Sequence, residues 1–219
     1  MIKLAIFDLD GTLLDTLEDI AAACNHALQA CGCPTHDPDK YRGFVGRGIM
    51  NLFRSALPEE KRNEDMVLRM KEAFVPYYNE HKDDRTMPYP GIINLLDSLT
   101  AGGVNLAIAS NKYQEATMEL VRRHFGEYSF VSILGQREGH PIKPDPGIVI
   151  EAISACEGTK PEETVYCGDS DVDMQTGMNA GVNTIGVTWG FRTRDELATY
   201  SPHLLADSPE EICNFIASL

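Results

Sequence analysis

Short, almost unbroken apolar runs recur along the chain: Leu4-Ala5-Ile6-Phe7, Val104 to Ala109, Phe130 to Leu134, Thr164-Val165-Tyr166-Cys167 and Thr184-Ile185-Gly186-Val187. Runs of this kind predict parallel strands buried on both faces. Between them the apolar positions follow the helical period. Ile92, Leu95, Leu96 and Leu99 lead to Gly102-Gly103, and Met118, Leu120 and Val121 lead to Gly126, with glycine as the stop signal. Near the C-terminus Ser208, Pro209 and Glu211 stand as N-cap, first helical residue and capping-box acid before Ile212, Phe215 and Ile216. Strand alternating with helix predicts an α/β fold built on a doubly wound parallel sheet.

One interval breaks this rhythm. Between the first strand and Val104 the pattern is helical: Leu17 to Cys31, Ile49 to Ala56, and a charged amphipathic stretch from Glu59 to about His81. Residues 16–85 are therefore expected to form an inserted helical cap, with 1–15 and 86–219 as the α/β core. Met87-Pro88-Tyr89-Pro90-Gly91 returns the chain to that core.

A chain of 219 residues suffices for one well-buried core and a small accessory unit, expected as a monomer or homodimer. Asp8 and Asp10 interrupt the first apolar run, so no export signal is read there, and no other run is long enough to span a bilayer. The expectation is a cytoplasmic protein. The formal charge of -14, from 19 Lys plus Arg against 33 Asp plus Glu, repels polyanions and argues against nucleic acid as a partner. Binding any small anion in so acidic a chain requires local positive charge, from a metal or a few placed basic side chains. Cys24, His26, Cys31, Cys33 and His36 superficially suggest zinc, but the cysteines lack the gap of zinc knuckles and fingers. Cys167 reads as a small buried hydrophobe.

The candidate chemistry sits at strand ends. Phe7-Asp8-Leu9-Asp10-Gly11-Thr12 places carboxylates two residues apart where the first strand meets its loop, and side chains at that spacing on extended chain share a face. In open α/β sheets the ligand crevice lies beyond the carboxyl ends of the strands. Gly168-Asp169-Ser170-Asp171-Val172-Asp173 adds acids after another strand. If the strands are neighbours, Asp8 and Asp169 converge, and converging carboxylates need a cation; magnesium, hard and oxygen-seeking, fits. Asp171 reads as an acidic first helical turn, and Asp173 reads equally as that or as part of the site. Ser110-Asn111 follows a third strand, where a hydroxyl and a backbone N–H can hold a phosphate oxygen. Lys143, between Pro141 and Pro144, supplies the positive charge that the strand ends otherwise lack.

Asp8-Leu9-Asp10-Gly11-Thr12-Leu13, Ser110-Asn111, Ile142-Lys143-Pro144 and Gly168-Asp169-Ser170 with Asp173, in this order and with a helical insertion after the first, resemble the haloacid dehalogenase superfamily of phosphohydrolases with a helical cap. The resemblance covers essentially the whole chain. Pro141 to Pro146 and Gly186-Val187-Thr188-Trp189-Gly190 look like its phosphoglycolate phosphatase branch. The resemblance implies a magnesium-dependent phosphatase acting on a small phosphorylated metabolite such as 2-phosphoglycolate, with Asp8 as nucleophile and Asp10 as acid and then base. It also implies magnesium held by Asp8, the backbone carbonyl of Asp10, and Asp169; Ser110 and Lys143 on the phosphoryl oxygens; Thr12 orienting the loop; and Asp173 in support. Asn111 belongs with Ser110 on the substrate side.

Within the fold, dehalogenation has no use for an acid at position 10. A β-phosphoglucomutase-like phosphotransferase or an inorganic pyrophosphatase would use the same core. A non-catalytic binding module would be free to lose Asp8, Asp10 and Lys143, and all are present. In the cap, Arg42-Gly43-Phe44-Val45-Gly46-Arg47-Gly48 is a glycine-rich loop, and Arg47 reads either as the partner of a substrate anion or as a solvated surface arginine.

Overall fold

A computed structural model describes all 219 residues. In chain order the elements are β1 (Leu4–Phe7), β2 (Leu14–Asp15), α1 (Leu17–Ala30), α2 (Ile49–Ala56), α3 (Glu64–His81), β3 (Met87–Pro88), α4 (Ile92–Ala101), β4 (Asn105–Tyr113) and α5 (Gln114–Phe125). They continue with β5 (Phe130–Gln136), α6 (Gly147–Ser154), β6 (Thr164–Gly168), α7 (Asp171–Ala180), β7 (Asn183–Val187), α8 (Arg194–Ala198), β8 (Leu204–Ala206) and α9 (Pro209–Ser218).

Six strands form one sheet in the order β5-β4-β1-β6-β7-β8, every pair parallel. The apolar runs mark all five of their strands, of which β1, β4, β6 and β7 are buried on both faces under the covering helices, while β5 at the sheet edge is mostly half-buried. Along β1 the side chains alternate: Ala5 and Phe7 pack with α4, α5 and α9, while Leu4 and Ile6 pack with Ile148, Val149 and Ala152 of α6. From β1 the order runs to β4 and β5 on one side and to β6, β7 and β8 on the other. The switch point, and with it the crevice, therefore lies beyond Phe7.

The helical insertion has an apolar centre of its own. Leu17, Ile20, Cys24, Ala27 and Leu28 of α1 meet Phe53 of α2 and Val67, Met70, Phe74 and Tyr78 of α3. From the rest of the chain only Ala116 and Phe191 are buried members of that cluster. The chain enters and leaves the insertion side by side. β2 and β3 pair antiparallel, Leu14 with Pro88 and Asp15 with Met87. Buried Asp19 near the start of α1 accepts bonds from the Arg85 and Thr86 N–H groups at 3.1 and 2.9 Å and from the Thr86 hydroxyl at 2.8 Å.

Some expectations are corrected. The interval read as purely helical is bounded by the β2–β3 ribbon, whose two-residue strands are too short for any period to show. A sixth strand, β8, lies at the sheet edge. At α9 the helix begins where expected, but the Ser208 side chain makes no cap bond and Glu211 accepts from the Asp207 N–H at 3.0 Å instead of closing a box. Cys24, Cys31 and Cys33 are buried thiols in the insertion's apolar centre, while His36 bonds the Ala56 carbonyl oxygen at 2.7 Å and His26 stacks on Tyr77. Those groups serve packing and backbone contacts. No helix is long and apolar enough to cross a membrane.

Candidate active site

β1 pairs with β4 and with β6, and the register sets Phe7 opposite both Ile108 and Cys167. Asp8 thus emerges level with the ends of its neighbours, its N–H donating to the Cys167 carbonyl at 2.9 Å. Asp169 follows β6 by one residue, and β4 runs on through Ser110, Asn111 and Lys112. Sheet topology alone brings Asp8, Ser110 and Asp169 together.

Beneath them lies a polar cluster almost without access to water. Lys143 is 2% exposed, and its ammonium donates to Asp173 Oδ1 at 2.6 Å, to the Tyr166 hydroxyl at 2.9 Å and to the Ala109 carbonyl at 3.1 Å, and lies 3.1 Å from Asp8 Oδ2. The fully buried Asp173 closes a capping box at the start of α7. Its Oδ2 accepts from the Ser170 N–H at 3.0 Å and hydroxyl at 2.5 Å, and Ser170 Oγ accepts from the Asp173 N–H at 3.2 Å. Both Asp173 oxygens are engaged, one by Lys143 and Tyr166 and the other by Ser170. The side chain holds Lys143 in place.

Asp169 is fixed by Thr12, whose hydroxyl donates to Oδ1 at 3.1 Å, and by the Phe191 N–H, which donates to Oδ2 at 2.8 Å. Gly190 lets that backbone approach: a Cβ there would stand 2.3 Å from Asp169 Cβ and 2.3 Å from the Gly11 carbonyl oxygen. Gly190→Ala is expected to destabilise the fold by about 1–3 kcal/mol through this overlap. A shift of the urea midpoint with little change of slope would register it, and a wild-type midpoint would refute it.

The electrostatics follow from counting charges. Three buried carboxylates, Asp8, Asp169 and Asp173, bring ligand oxygens within 4.8 Å of one another, with Lys143 as their one buried cation. Burial would depress the Lys143 ammonium, but Asp173 and Asp8 outweigh that and raise it. Burial likewise pushes Asp173 up, yet Lys143 and the Ser170 and Tyr166 hydroxyls bring it below the ordinary range. Asp8 and Asp169 are less fully compensated. Burial, opposed mainly by Lys143, pushes Asp8 up to about 6, and burial with Asp173 and Asp8 beside it holds Asp169 well above the carboxylate range. Two carboxylates destabilised in their charged form, all-oxygen and with lone pairs to spare, fit a hard divalent cation.

Asp10 shares the pocket with Asp8, and both its oxygens accept from Lys112, at 2.9 and 3.1 Å. The pocket is roofed by the helical insertion, through Ile20, Val45, Ile49, Leu52, Phe74 and Tyr78. Ser110 and Asn111 both line it, and Asn111 is also a brace: its amide oxygen accepts from the Lys143 N–H at 2.9 Å, and its NH2 donates to the carbonyls of Lys143 at 3.1 Å and of Gly46 in the insertion at 2.9 Å. The structure does not bring Arg47 to the pocket. Its guanidinium is about half exposed and pairs with Asp171. Asp171, which reads in sequence as a mere first-turn acid, also faces Arg192 at 3.6 Å. Arg192 in turn donates to the carbonyls of Arg42 and, at 3.0 Å, Val45, fastening the insertion to the core. Lys112, Arg192 and Tyr166 escape a sequence reading because only the fold sets them beside an acid. The hint for Lys112 is its place directly after Ser110-Asn111.

The haloacid dehalogenase-like hydrolase family model matches residues 5–187, a span that includes Asp8, Ser110, Lys143 and Asp169. A phosphoglycolate phosphatase of Vibrio parahaemolyticus serotype O3:K6 is 30% identical, with 99% of this chain and 96% of that protein aligned. One from Aquifex aeolicus is 32% identical over 86% of each. A crystal structure from Lactobacillus delbrueckii subsp. bulgaricus, provisionally assigned as a phosphoglycolate phosphatase, matches with a TM-score of 0.91 at 33% identity over 98% of both chains. The strand order, the acids at the ends of β1 and β6 and a family match spanning most of the chain agree, and the protein belongs to the haloacid dehalogenase-like hydrolases.

Proposed function

We propose that this chain is a cytoplasmic, magnesium-dependent phosphatase that hydrolyses a small phosphate monoester, 2-phosphoglycolate, through an aspartyl-phosphate on Asp8. One observation carries the reading: Asp8 and Asp10 line a single roofed pocket, with Asp169 beside Asp8 and Lys143 beneath it. An Asp8 oxygen bonds to phosphorus as the ester P–O bond breaks, and Asp10 gives its proton to the leaving alkoxide. Water then attacks phosphorus, Asp10 takes that proton, and the bond to Asp8 breaks. Lys143 and Ser110 hold phosphoryl oxygens, which is most of what this transfer requires. Asp8, Asp169 and the Asp10 backbone carbonyl would hold magnesium, with Thr12 and the Phe191 N–H orienting Asp169. When bound, the ion offsets negative charge on the transferring group. The helices over residues 16–85 serve as the cap that excludes water from this chemistry.

The substrate reading is supported by the names of the curated relatives and by a pocket roofed by the helical insertion and suited to a small molecule. A panel with magnesium, comprising 2-phosphoglycolate, sugar phosphates and pyrophosphate, tests it. The expected result is the highest kcat/KM on 2-phosphoglycolate. Faster turnover of pyrophosphate, or isomerisation of a sugar phosphate without release of phosphate, would overturn it.

The raised carboxylates also predict a pH-dependent response to the metal. A carboxyl group whose folded pKa is raised keeps its proton longer in the folded chain than in the unfolded one. Without metal, stability therefore falls as pH rises from the ordinary 3.8 of Asp8 through about 6, and further for Asp169. Magnesium stabilises the ionised pair and removes this loss. Its effect on Tm is expected to be larger at about pH 7.5 than at about pH 5. Equal shifts at the two pH values, or none, would contradict the assigned ligands.

A further inference from the structure

Lys112 is not explained by the chemistry above. Its side chain is 4% exposed, it projects from the end of β4, and its ammonium contacts both Asp10 oxygens at 2.9 and 3.1 Å. On its other side lies the ring of Tyr78 from α3, with the centroid 4.8 Å from Nζ. Among the residues lining the pocket, Lys112 alone carries a positive side chain, against Asp8, Asp10 and Asp169; the roof is mostly apolar. The same wall holds an orphan: the Tyr78 hydroxyl is buried with no hydrogen-bond partner. Burial holds that phenol protonated, so it is a donor awaiting an acceptor. A buried ammonium, and beside it a lining side chain whose buried hydroxyl is unsatisfied, make a receptor for an anion.

We propose that Lys112 and Tyr78 form the subsite that selects the substrate: they receive a carboxylate carried one methylene from the phosphate ester oxygen. This rests on the phosphatase reading above. The geometry follows from the role of Asp10, which must reach the ester oxygen to protonate it. With Lys112 Nζ about one hydrogen bond from the Asp10 oxygens, a short acid whose ester oxygen faces Asp10 extends its carboxylate toward Lys112. At rest Asp10 satisfies Lys112 in place of that carboxylate. Exchange of one anion for the other gives Lys112 a new partner and leaves Asp10 free for the leaving group. Substrate binding and release of the acid thus become one event, and it occurs beneath the cap residue Tyr78. Phosphate esters of short 2-hydroxy acids fit this site; esters of neutral alcohols would leave Lys112 on Asp10 and the Tyr78 hydroxyl unsatisfied.

The test compares 2-phosphoglycolate with ethyl phosphate, which carries a neutral methyl group in place of the carboxylate, by the ratio of their kcat/KM values. The wild type is expected to prefer the acid, and Lys112→Met to lower that preference by about ten- to a hundredfold, whatever loss the neutral ester also shows. Lys112→Arg, which keeps the charge, should retain most of the preference, and Tyr78→Phe should lower it several-fold. Should Lys112→Met not fold, Lys112→Gln carries the same comparison. Equal losses on both esters would mean that Lys112 only positions Asp10, and would overturn the subsite while leaving the substrate reading intact. A wild type without preference for the acid would instead overturn the substrate reading, and the subsite with it.

Discussion

Asp8→Asn is expected to abolish turnover, lowering kcat by about 10⁴-fold or more, in a protein that folds as the wild type does. The amide has the shape of the carboxylate but is a very poor nucleophile, and no other acid occupies its place. Asp10 lies in the same pocket but is held by Lys112, Asp169 is held by Thr12 and the Phe191 N–H, and Asp173 is saturated by Lys143, Tyr166 and Ser170. Stability is expected to hold or rise. Asp8 is one of three buried carboxylates around one ammonium, and burial works against its charged form, so a neutral side chain there relieves a cost. Steady-state kinetics beside a thermal melt reads both effects. Appreciable turnover by a pure, folded variant would remove Asp8 from its role.

Lys143→Met has the next largest expected effect, and here fold and function fail together. The ammonium is the common partner of Asp173, Asp8, Tyr166 and the Ala109 carbonyl in a site closed to water. Its removal strands Asp173, which has no exposure, and breaking a buried pair from one side costs about 3–5 kcal/mol. Adding Asp173→Asn should recover part of that stability, because the stranded charge goes as well, but no activity, because the phosphoryl oxygens still lack their cation. Urea unfolding of both variants measures the first effect and turnover the second. Wild-type stability in Lys143→Met would show that the cluster is not coupled as its geometry implies.

How far the sequence carries can be judged residue by residue. Strands buried on both faces write themselves as apolar runs, so β1, β4, β6 and β7 are legible, as is the half-buried edge strand β5; that Asp8 and Asp169 converge follows only once their strands are neighbours, which the sequence leaves open and the sheet order supplies. The strands that were missed have no such signature: β2 and β3 are two residues each, and β8 is a three-residue edge strand. Asp173 was ambiguous because a first-turn acid and a ligand of a buried lysine share the same position. The structure shows that it is both, capping α7 with one oxygen and holding Lys143 with the other.

The cap was the hardest part to read. Arg47 stood out as an arginine between glycines, yet it pairs with Asp171 at the surface. Lys112 draws no notice in the sequence, yet it is nearly buried and reaches the pocket from the extended end of β4. A lone charge carries no periodicity. Whether it meets water, a carboxylate or a substrate depends on which distant element is folded over it, here α3 of the insertion.

The central claim is a covalent phosphoryl group on Asp8, and the most direct measurement is to trap it. Wild-type enzyme turning over 2-phosphoglycolate with magnesium is quenched in acid, reduced with borohydride, which converts an acyl phosphate of aspartate to homoserine, and mapped by peptide mass spectrometry. The account predicts homoserine at position 8, dependent on substrate and absent from Asp8→Asn. Reduction at another aspartate, or none at position 8 under conditions of rapid turnover, would contradict it.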